Sequence, residues 1–416
     1  MRRLLSMIAL LGALLPVWGQ QDTGAAARLL QDPAVRAALE AVRTNEPSII
    51  EEQIRLSEIP APSFKEDKRA AAVMQAFTEL GLEEVRIDKA GNVIGVRPGL
   101  APRPNLVFAG HLDTVFPEGT NVKVTRQGSL LKGPGIGDDA RGLAVVLAVV
   151  KALNQAKVRT PGTITFVADV GEEGLGDLRG MKQLFQETLK DRIDRFVSVD
   201  GTGLGITNAG VESYRYRITF MGPGGHSYGA FGLANPIHAL GRAIALISEF
   251  RVPVNPKTTF NVGRIGGGTS INSIAGEAWM EMDMRSADIQ AIRVVETSFL
   301  KSVDQALAEE NARWGDRGKL SVRKEKVGDR PAGNTPESSA IVQTALAATR
   351  ALGLTAQLGQ GSTDANYPMS LHIPAITIGG GGTGAGAHSL GESFDTSNSW
   401  RGTQRALLLA VALTQK

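Results

Sequence analysis

Apolar residues recur with a helical period in the first part of the chain, and in short runs typical of strands after it. Spacings of three and four predict helices over residues 20–59 and over KEDKRAAAVMQAFTELGL, which stops at Gly81. Apolar runs then predict strands at NVIGVRP and NLVFAG, a helix at ARGLAVVLAVVKALNQ, and strands at GTITFVADV and DRFVSVDG. This alternation predicts an α/β domain with a doubly wound, mixed sheet. Ligands of such sheets bind beyond the carboxyl ends of the strands.

The pattern changes near residue 210, where ESYRYRITFMG alternates as a half-exposed antiparallel strand does. A helix at NPIHALGRAIALISEF, strands at TTFNVGRIGG and EAWMEMDMRS, a long helix over residues 289–311 and a strand at KLSVRKEK follow. This order predicts a small ferredoxin-like α+β domain with one open sheet face. Because helices and strands alternate again afterwards, we predict an inserted domain over residues 211–326. It interrupts a large domain that comprises residues 20–210 and 327–416.

The N-terminal segment has a pattern of its own. Arg2 and Arg3 precede the apolar stretch LLSMIALLGALL and small residues near Gly19. This predicts a secretory signal peptide over residues 1–19, with a buried first helix or an uncleaved anchor as alternatives. We therefore expect an exported protein, periplasmic or secreted. No other apolar run is long enough to cross a bilayer, so no membrane association is expected after signal cleavage.

Composition narrows the classes of function. Hydrophobic residues make up 42% and charged residues 21%, which is typical of a globular protein. The net charge is +3, and without a long run of Lys and Arg we expect no nucleic-acid partner. The chain has no cysteine, which excludes disulfides, a thiol nucleophile and thiolate metal ligands. A metal would have to be bound by His, Asp and Glu.

In VFAGHLDTVFP, an apolar strand ends in a glycine that is followed by a titratable pair, His111 and Asp113. A carboxylate beside a histidine can accept its second ring proton, which leaves the other nitrogen free to bind a metal. A polar strand end without function is the alternative.

In GPGIGDDARG, Asp138 and Asp139 lie on a Gly-rich turn that opens a helix. Adjacent carboxylates repel each other unless a cation is present. A phosphate-binding loop competes with this interpretation, but the charge of Asp138 would repel phosphate.

Three further segments offer ligands. VADVGEEGLGD ends a strand with Glu172 and Glu173, of which one can bind a metal while the other acts as general base on a water. An exposed acidic turn is the alternative. Asp200 ends FVSVDG, where its apolar neighbours indicate burial. His388 follows the strand PAITIGG, within a Gly-rich stretch that could by itself be a linker.

Together these segments supply two histidines and three carboxylates: His111, Asp138, Glu173, Asp200 and His388. This set suits two zinc ions bridged by a carboxylate and a water, and cobalt or manganese could take the same ligands. In these motifs and their order, the chain resembles the co-catalytic dinuclear zinc metallopeptidases. That family includes peptidase T, carnosine dipeptidase, aminoacylase, glutamate carboxypeptidase and succinyl-diaminopimelate desuccinylase. The resemblance implies that His111 and Asp200 bind the first zinc ion, that Glu173 and His388 bind the second, and that Asp138 bridges the two. It also implies that Asp113 orients a ligand and that Glu172 is the general base.

The resemblance extends to the inserted domain and to a later loop. GPGGHSYG is similar to the segment whose histidine, here His226, crosses a dimer interface and stabilises the oxyanion in the partner's active site. GRIGGGTSINSIAGEAWMEMDMRS resembles the next signature, which implies that Asn272 and Arg285 contact a substrate carboxylate or carbonyl. GSTDANY resembles the loop near the substrate and implies contacts from Ser362 and Thr363. A homodimer is therefore expected. Without the resemblance, His226 could be a simple loop histidine, and Arg285 could form a salt bridge on the strand surface.

The resemblance implies an exported, zinc-dependent exopeptidase that acts on short peptides as an aminopeptidase or as a di- or tripeptidase. An Asp at the position of Asp200 is typical of that group, and a Glu of the carboxypeptidases and deacylases. A carboxypeptidase or an N-acyl-amino-acid deacylase is the alternative. A dimeric binding protein without catalysis is a third possibility, against which the presence of Glu172 argues.

Overall fold

The computed structural model describes residues 24–415, so the predicted signal peptide lies outside the described part of the chain. The helices are α1 (Gly24–Leu29), α2 (Pro33–Thr44), α3 (Glu46–Ser57), α4 (Asp67–Glu79), α5 (Ala140–Gln155), α6 (Arg179–Gln183), α7 (Pro236–Ser248), α8 (Ile289–Arg313), α9 (Ala340–Ala351), α10 (Asn366–Ser370) and α11 (Trp400–Ala412). None of them combines the length and apolar character needed to cross a bilayer.

The strands form one large and three smaller sheets. They are β1 (Glu83–Ile87), β2 (Val93–Arg97), β3 (Asn105–His111), β4 (Thr125–Gln127), β5 (Leu130–Lys132), β6 (Thr163–Asp169), β7 (Arg195–Val199), β8 (Ile206–Gly210), β9 (Glu212–Met221), β10 (Gly225–His226), β11 (Thr258–Gly267), β12 (Ser273–Ile274), β13 (Glu277–Ser286), β14 (Ser321–Arg330), β15 (Gly333–Asn334), β16 (Leu358–Gly361), β17 (Ala375–Ile378), β18 (Thr383–Ala385) and β19 (Ser393–Asp395).

The large sheet has nine strands in the order β1-β2-β6-β3-β7-β17-β8-β15, with β16 paired to β8. Its four central strands, β6, β3, β7 and β17, run parallel. Strands β1, β2, β8 and β15 pair antiparallel with their neighbours, apart from the parallel β16–β8 pair. The predicted mixed sheet is therefore confirmed. The parallel strands place four carboxyl ends side by side at one edge.

Helices cover both faces of this sheet, as the doubly wound prediction requires. All seven residues of β3 are buried, and alternate side chains enter different core clusters. Leu106 and Phe108 lie in the cluster that includes α5, whereas Val107 and Ala109 lie in the cluster that includes Met181 of α6. A strand that is buried on both sides keeps its last residue, His111, in a fixed position.

The second sheet has four antiparallel strands in the order β11-β13-β9-β14. Helices α7 and α8 pack on one face of it, and β13 alternates between buried and more exposed residues. This strand order and the two helices are those of the predicted ferredoxin-like fold. Strand β14 continues to Arg330, past the predicted boundary at residue 326.

Candidate metal centre

The five predicted ligands come together where the central parallel strands end. His111 is the last residue of β3, and Asp200 directly follows β7. Glu173 lies shortly after β6, and His388 lies between β18 and β19, in the longer connection that follows β17. Asp138 comes from the Gly-rich turn that opens α5. The topological rule for parallel sheets therefore accounts directly for His111, Glu173 and Asp200.

Asp138 lies between the two histidines, with one carboxylate oxygen facing each of them. Its Oδ1 is 3.1 Å from Nε2 of His111, and its Oδ2 is 3.0 Å from Nε2 of His388. Glu173 Oε1 is 2.9 Å from the same His388 nitrogen, and Asp200 Oδ1 is 3.9 Å from Nε2 of His111. Asp138 therefore belongs to both halves of the cluster, as a bridging carboxylate would.

These residues fit two divalent cations. In each of two groups, His111–Asp138–Asp200 and Asp138–Glu173–His388, the ligand atoms lie within 4.8 Å of one another. Burial, and then the charge of Asp138, raise the pKa of Asp200, so its charged form needs a nearby cation. Two imidazoles and three carboxylates without a thiolate form a donor set for zinc, cobalt or manganese.

Nδ1 of His111 faces both the main-chain oxygen and the carboxylate of Asp113, the predicted orienting residue. This nitrogen lies 3.0 Å from the carbonyl oxygen of Asp113 and 3.6 Å from the carboxylate oxygen Oδ1. Since a carbonyl only accepts, Nδ1 carries the proton and Nε2 is free for a metal. The carboxylate of Asp113 also accepts hydrogen bonds from the amides of Glu172 and Glu173, both at 3.0 Å, and from the hydroxyl of Ser63 at 2.7 Å.

Glu172, the predicted general base, is buried beside the cluster and paired with an arginine. Nη1 of Arg330 donates to its Oε1 at 3.0 Å, and Nη2 of Arg330 donates to its main-chain oxygen. Burial raises the pKa of Glu172 to about 8, although the charge of Arg330 opposes this shift. Glu172 also lies close to two of the predicted ligands, since its carboxylate and the ligand atoms of His111 and Glu173 lie within 4.8 Å of one another.

Sequence reasoning missed two residues that hold this site in place. Glu392 accepts the amides of Gly135 at 2.8 Å, Gly137 at 2.8 Å and Asp138 at 3.0 Å, so it fixes the turn that carries the bridging ligand. Pairing of β19 with β5 brings it there. Arg330 was missed as well. Neither residue has a local sequence signal, because their partners lie far away in the chain.

His226 and Asn272 lie together, apart from this cluster. Strand β10 pairs with β12, and the amide of Ser227 donates to the carbonyl of Asn272 at 2.9 Å. His226 is exposed, and its Nδ1 accepts amides from its own loop at 3.2 and 3.3 Å. Within residues 24–415, the hydrogen bonds and ion pairs do not join either residue to the metal ligands.

The other three predicted substrate contacts differ in exposure. Arg285 forms the strand-surface ion pair that was the alternative to a substrate role, with Nε 2.8 Å from Asp283. Ser362 accepts a hydrogen bond of 3.3 Å from Arg330. Thr363 is buried, and its hydroxyl lies 2.7 Å from that of Thr377.

Comparison with known proteins agrees with this geometry. The model of Peptidase family M20/M25/M40 matches residues 107–411. Carboxypeptidase G2 of Pseudomonas sp. (strain RS-16) is 28% identical over 360 residues, which cover 81% of this chain and 82% of that protein. The dipeptidase Dug1p of Saccharomyces cerevisiae has a similar structure, with a TM-score of 0.75 at 16% identity over 92% of this chain and 99% of that one.

The YXEP protein of Bacillus subtilis, a dinuclear metal-binding peptidase of the M20 family, has a TM-score of 0.61 at 18% identity. The match covers 89% of this chain and 99% of that one. At such identities the structural likeness shows the fold. The family match spans most of the chain and includes all five predicted metal ligands. The chain therefore belongs to peptidase family M20/M25/M40 and is a metallopeptidase or amidohydrolase.

Proposed function

We propose that this protein is an exported, zinc-dependent exopeptidase that hydrolyses the amide bonds of short peptides, as an aminopeptidase or as a di- or tripeptidase. One observation carries the proposal: two metal-ligand groups share Asp138 and lie beside the buried Glu172. Export is proposed from the predicted signal peptide alone.

The residues of this chain have distinct tasks in the proposed reaction. Zinc held by the two groups would lower the pKa of water and polarise the substrate carbonyl. Glu172 takes a proton from the attacking water and returns it to the leaving nitrogen. Asp113 holds the main chain of Glu172 in place through its amide. No serine or cysteine nucleophile is needed.

His226 is proposed to act on a second copy of the chain, where it would donate a hydrogen bond to the developing oxyanion. Its exposure supports this, since nothing within the described residues occupies its ring except its own loop amides. Large apolar side chains beside it are also exposed, with Tyr228 at 89% and Phe231 at 73%. Strand β11 forms an edge of the inserted sheet. A homodimer would cover such surfaces.

The alternative is a carboxypeptidase or an N-acyl-amino-acid deacylase. Similarity to carboxypeptidase G2 favours it, whereas Asp200, which stands where that group typically has Glu, favours the aminopeptidase. Arg285 fits both, because either kind of substrate can present a free carboxylate to its guanidinium group.

A substrate panel tests the choice. The purified mature protein is incubated with free di- and tripeptides, N-blocked dipeptides and N-acetyl amino acids, with zinc and after chelation. Glu172→Ala is compared with Glu187→Ala, whose exposed carboxylate pairs with Lys89. Zinc-dependent cleavage of free-amine peptides that only Glu172→Ala abolishes is expected. Cleavage of blocked or acylated substrates alone would favour the alternative, and zinc binding without any turnover would contradict both.

A further inference from the structure

The inserted domain joins the large domain through two very short connections. Val211 alone separates β8 of the large sheet from β9 of the inserted sheet, and residues 331–332 separate β14 from β15. Strands β8 and β15 pair with each other, with Gly210 opposite Gly333. The two connections therefore leave the large sheet side by side. The orientation of the inserted domain depends on the main chain at these two places.

One buried side chain holds both connections. Asn366, the first residue of α10, is 0% exposed. Its Nδ2 donates to the main-chain oxygen of Val211 at 2.9 Å and to that of Pro331 at 3.0 Å. Its Oδ1 accepts a hydrogen bond from the amide of Thr363 at 3.0 Å. Because a buried amide that loses its partners destabilises a structure, Asn366 ties these three main-chain segments together.

Close packing of α10 on both connections supports the same conclusion independently of the hydrogen bonds. A Cβ atom at Gly210 would lie 2.7 Å from Cγ of Asn366, and one at Gly333 would lie 2.3 Å from Cβ of Met369. Such contacts are too short, so both positions need glycine while α10 keeps its place. Helix α10 therefore packs against the strand that leads into the inserted domain and against the strand that returns from it.

The residues next to Asn366 lead to the predicted general base. Ser362, in the loop before α10, accepts a hydrogen bond of 3.3 Å from Arg330, which also donates to Glu172. Arg330 directly precedes Pro331, whose oxygen Asn366 holds. A shift of the main chain at Pro331 would therefore move the guanidinium group that contacts Glu172.

We propose that Asn366 is a positioning residue: it joins the loop of Ser362 and Thr363 to both connections and thereby holds the inserted domain, with Arg330, in one orientation relative to the metal-ligand cluster. Its effect on the rate rests on the proposed amide hydrolysis, whereas its effect on the orientation of the domains does not. Without this amide, the two connections are held mainly by the pairing of their strands. The inserted domain then takes a wider range of orientations, and Glu172 loses a partner in a fixed position.

Distances between the two domains test the orientation directly. Because the chain has no cysteine, Glu40→Cys on α2 and Lys301→Cys on α8, both at exposed positions, can carry two spin labels. Double electron–electron resonance then measures the distance between the labels. Asn366→Ala is expected to widen the distance distribution by about twofold, since domains move relative to each other unless their interface fixes them. A distribution as narrow as that of the otherwise unchanged labelled protein would overturn the proposal.

The rate of peptide hydrolysis tests the consequence for the reaction. Asn366→Ala is expected to lower kcat by about 10- to 100-fold with unchanged metal content, because small displacements at a reacting centre are costly. Gly210→Ala keeps the amide but displaces it, so both changes should recur, with a decrease in kcat of about 3- to 10-fold. A residue that serves only folding would lower thermal stability without changing the distance distribution or the kcat of the folded protein, and that result would contradict the proposal.

Two controls match these variants. Asn208→Ala removes an amide that donates to the main-chain oxygen of Thr335 at 2.9 Å, and Gly359→Ala adds a Cβ atom that meets nothing within 4 Å on β16. Both should keep the distance distribution and kcat of the wild type. If circular dichroism shows Asn366→Ala to be unfolded, Gly210→Ala decides by the same criteria. Loss of metal together with activity in a folded Asn366→Ala would overturn the proposal, because Asn366 would then support the cluster rather than the domains.

The distance measurement separates this proposal from the proposed function. If the wild type hydrolyses no peptide or acylated amino acid, amide hydrolysis is contradicted, and the distance distributions still test the role of Asn366. Broadening in both Asn366→Ala and Gly210→Ala would support it, and no broadening in either would overturn it. If the wild type is active and Asn366→Ala keeps its full kcat, the part of Asn366 in the reaction is overturned.

Discussion

The metal-ligand cluster and the His226 loop are built in opposite ways. Three ligands of the cluster, His111, Glu173 and Asp200, follow buried parallel strands. Asp138 meets two histidines, and its turn is held by Glu392. His226 lies on a two-residue strand, is exposed, and accepts hydrogen bonds only from its own loop. One region can be read as a finished site. The other fits either a simple loop histidine or the proposed residue that acts on a second copy of the chain.

The largest effect is expected at the centre of the cluster. Asp138→Asn removes the charge between His111 and His388, so both metal-ligand groups lose their shared anion. Activity should fall by about 1,000-fold or more, and metal content per chain should fall with it, since direct ligands matter more than the residues behind them. Metal analysis after dialysis and the rate of peptide hydrolysis measure this. Asp304→Asn, at an exposed ion pair with Lys324, is the control. Full metal content in Asp138→Asn would contradict the bridging role.

His226→Ala should separate the two regions. Loss of one donor to the oxyanion is expected to lower kcat by about 100- to 1,000-fold while metal content and thermal stability stay as in the wild type. His238→Ala, at an exposed position on α7, should leave kcat unchanged. A decrease in metal content would instead place His226 at the metal cluster of its own chain.

Mixing two inactive variants shows whether His226 acts in trans. A dimer of His226→Ala with Glu172→Ala has one site with both residues intact, so a mixture that exchanges subunits should recover about one quarter of wild-type activity. No recovery despite demonstrated exchange would mean that His226 works within its own chain or not at all.

The same contrast separates what could be predicted from sequence and what could not. The ligands at strand ends, such as His111 and Asp200, were predictable because a local apolar run ends there and parallel topology brings such ends together. Helix α5 was predicted with the bounds that the structure shows, since its buried face continues along its whole length. Strand β8, ITNAG, was missed because its residues neither alternate nor form an apolar run.

Contacts between distant segments were out of reach. Arg330 is 158 residues from Glu172, and Glu392 is 257 residues from Gly135. A single sequence holds no local pattern for such pairs, and a buried arginine looks like any surface arginine until the strands are assembled. For the same reason the role of Asp113 was only partly foreseen. Asp113 is close to His111 in the sequence, whereas the amides of Glu172 and Glu173, which it accepts, are 59 and 60 residues away.

Glu392→Gln sharpens the comparison at the turn that carries Asp138. A neutral amide can accept from fewer of the three main-chain amides and adds donors that face them, so the turn loosens. Metal affinity should fall by about 10- to 100-fold, as for other residues that orient ligands. Competition with a fluorescent zinc chelator measures it. Glu325→Gln, at an exposed pair with Arg323, is the control. An unchanged affinity would mean that the turn is held by its own backbone.

The smallest effect is expected one step further from the metal, at Ser63. Its hydroxyl donates to Asp113 at 2.7 Å, while two amides continue to hold the same carboxylate when it is removed. Ser63→Ala should therefore cost about 1 kcal/mol, or about fivefold in kcat/KM, with little change in metal content. Ser248→Ala, which removes an exposed hydroxyl on α7, should have no effect. If Ser63→Ala lowered activity as much as Glu392→Gln, the carboxylate of Asp113 would depend on the hydroxyl rather than on the amides. A single hydrogen bond would then decide the position of this carboxylate, and the buried cluster would resemble the His226 loop in depending on few contacts.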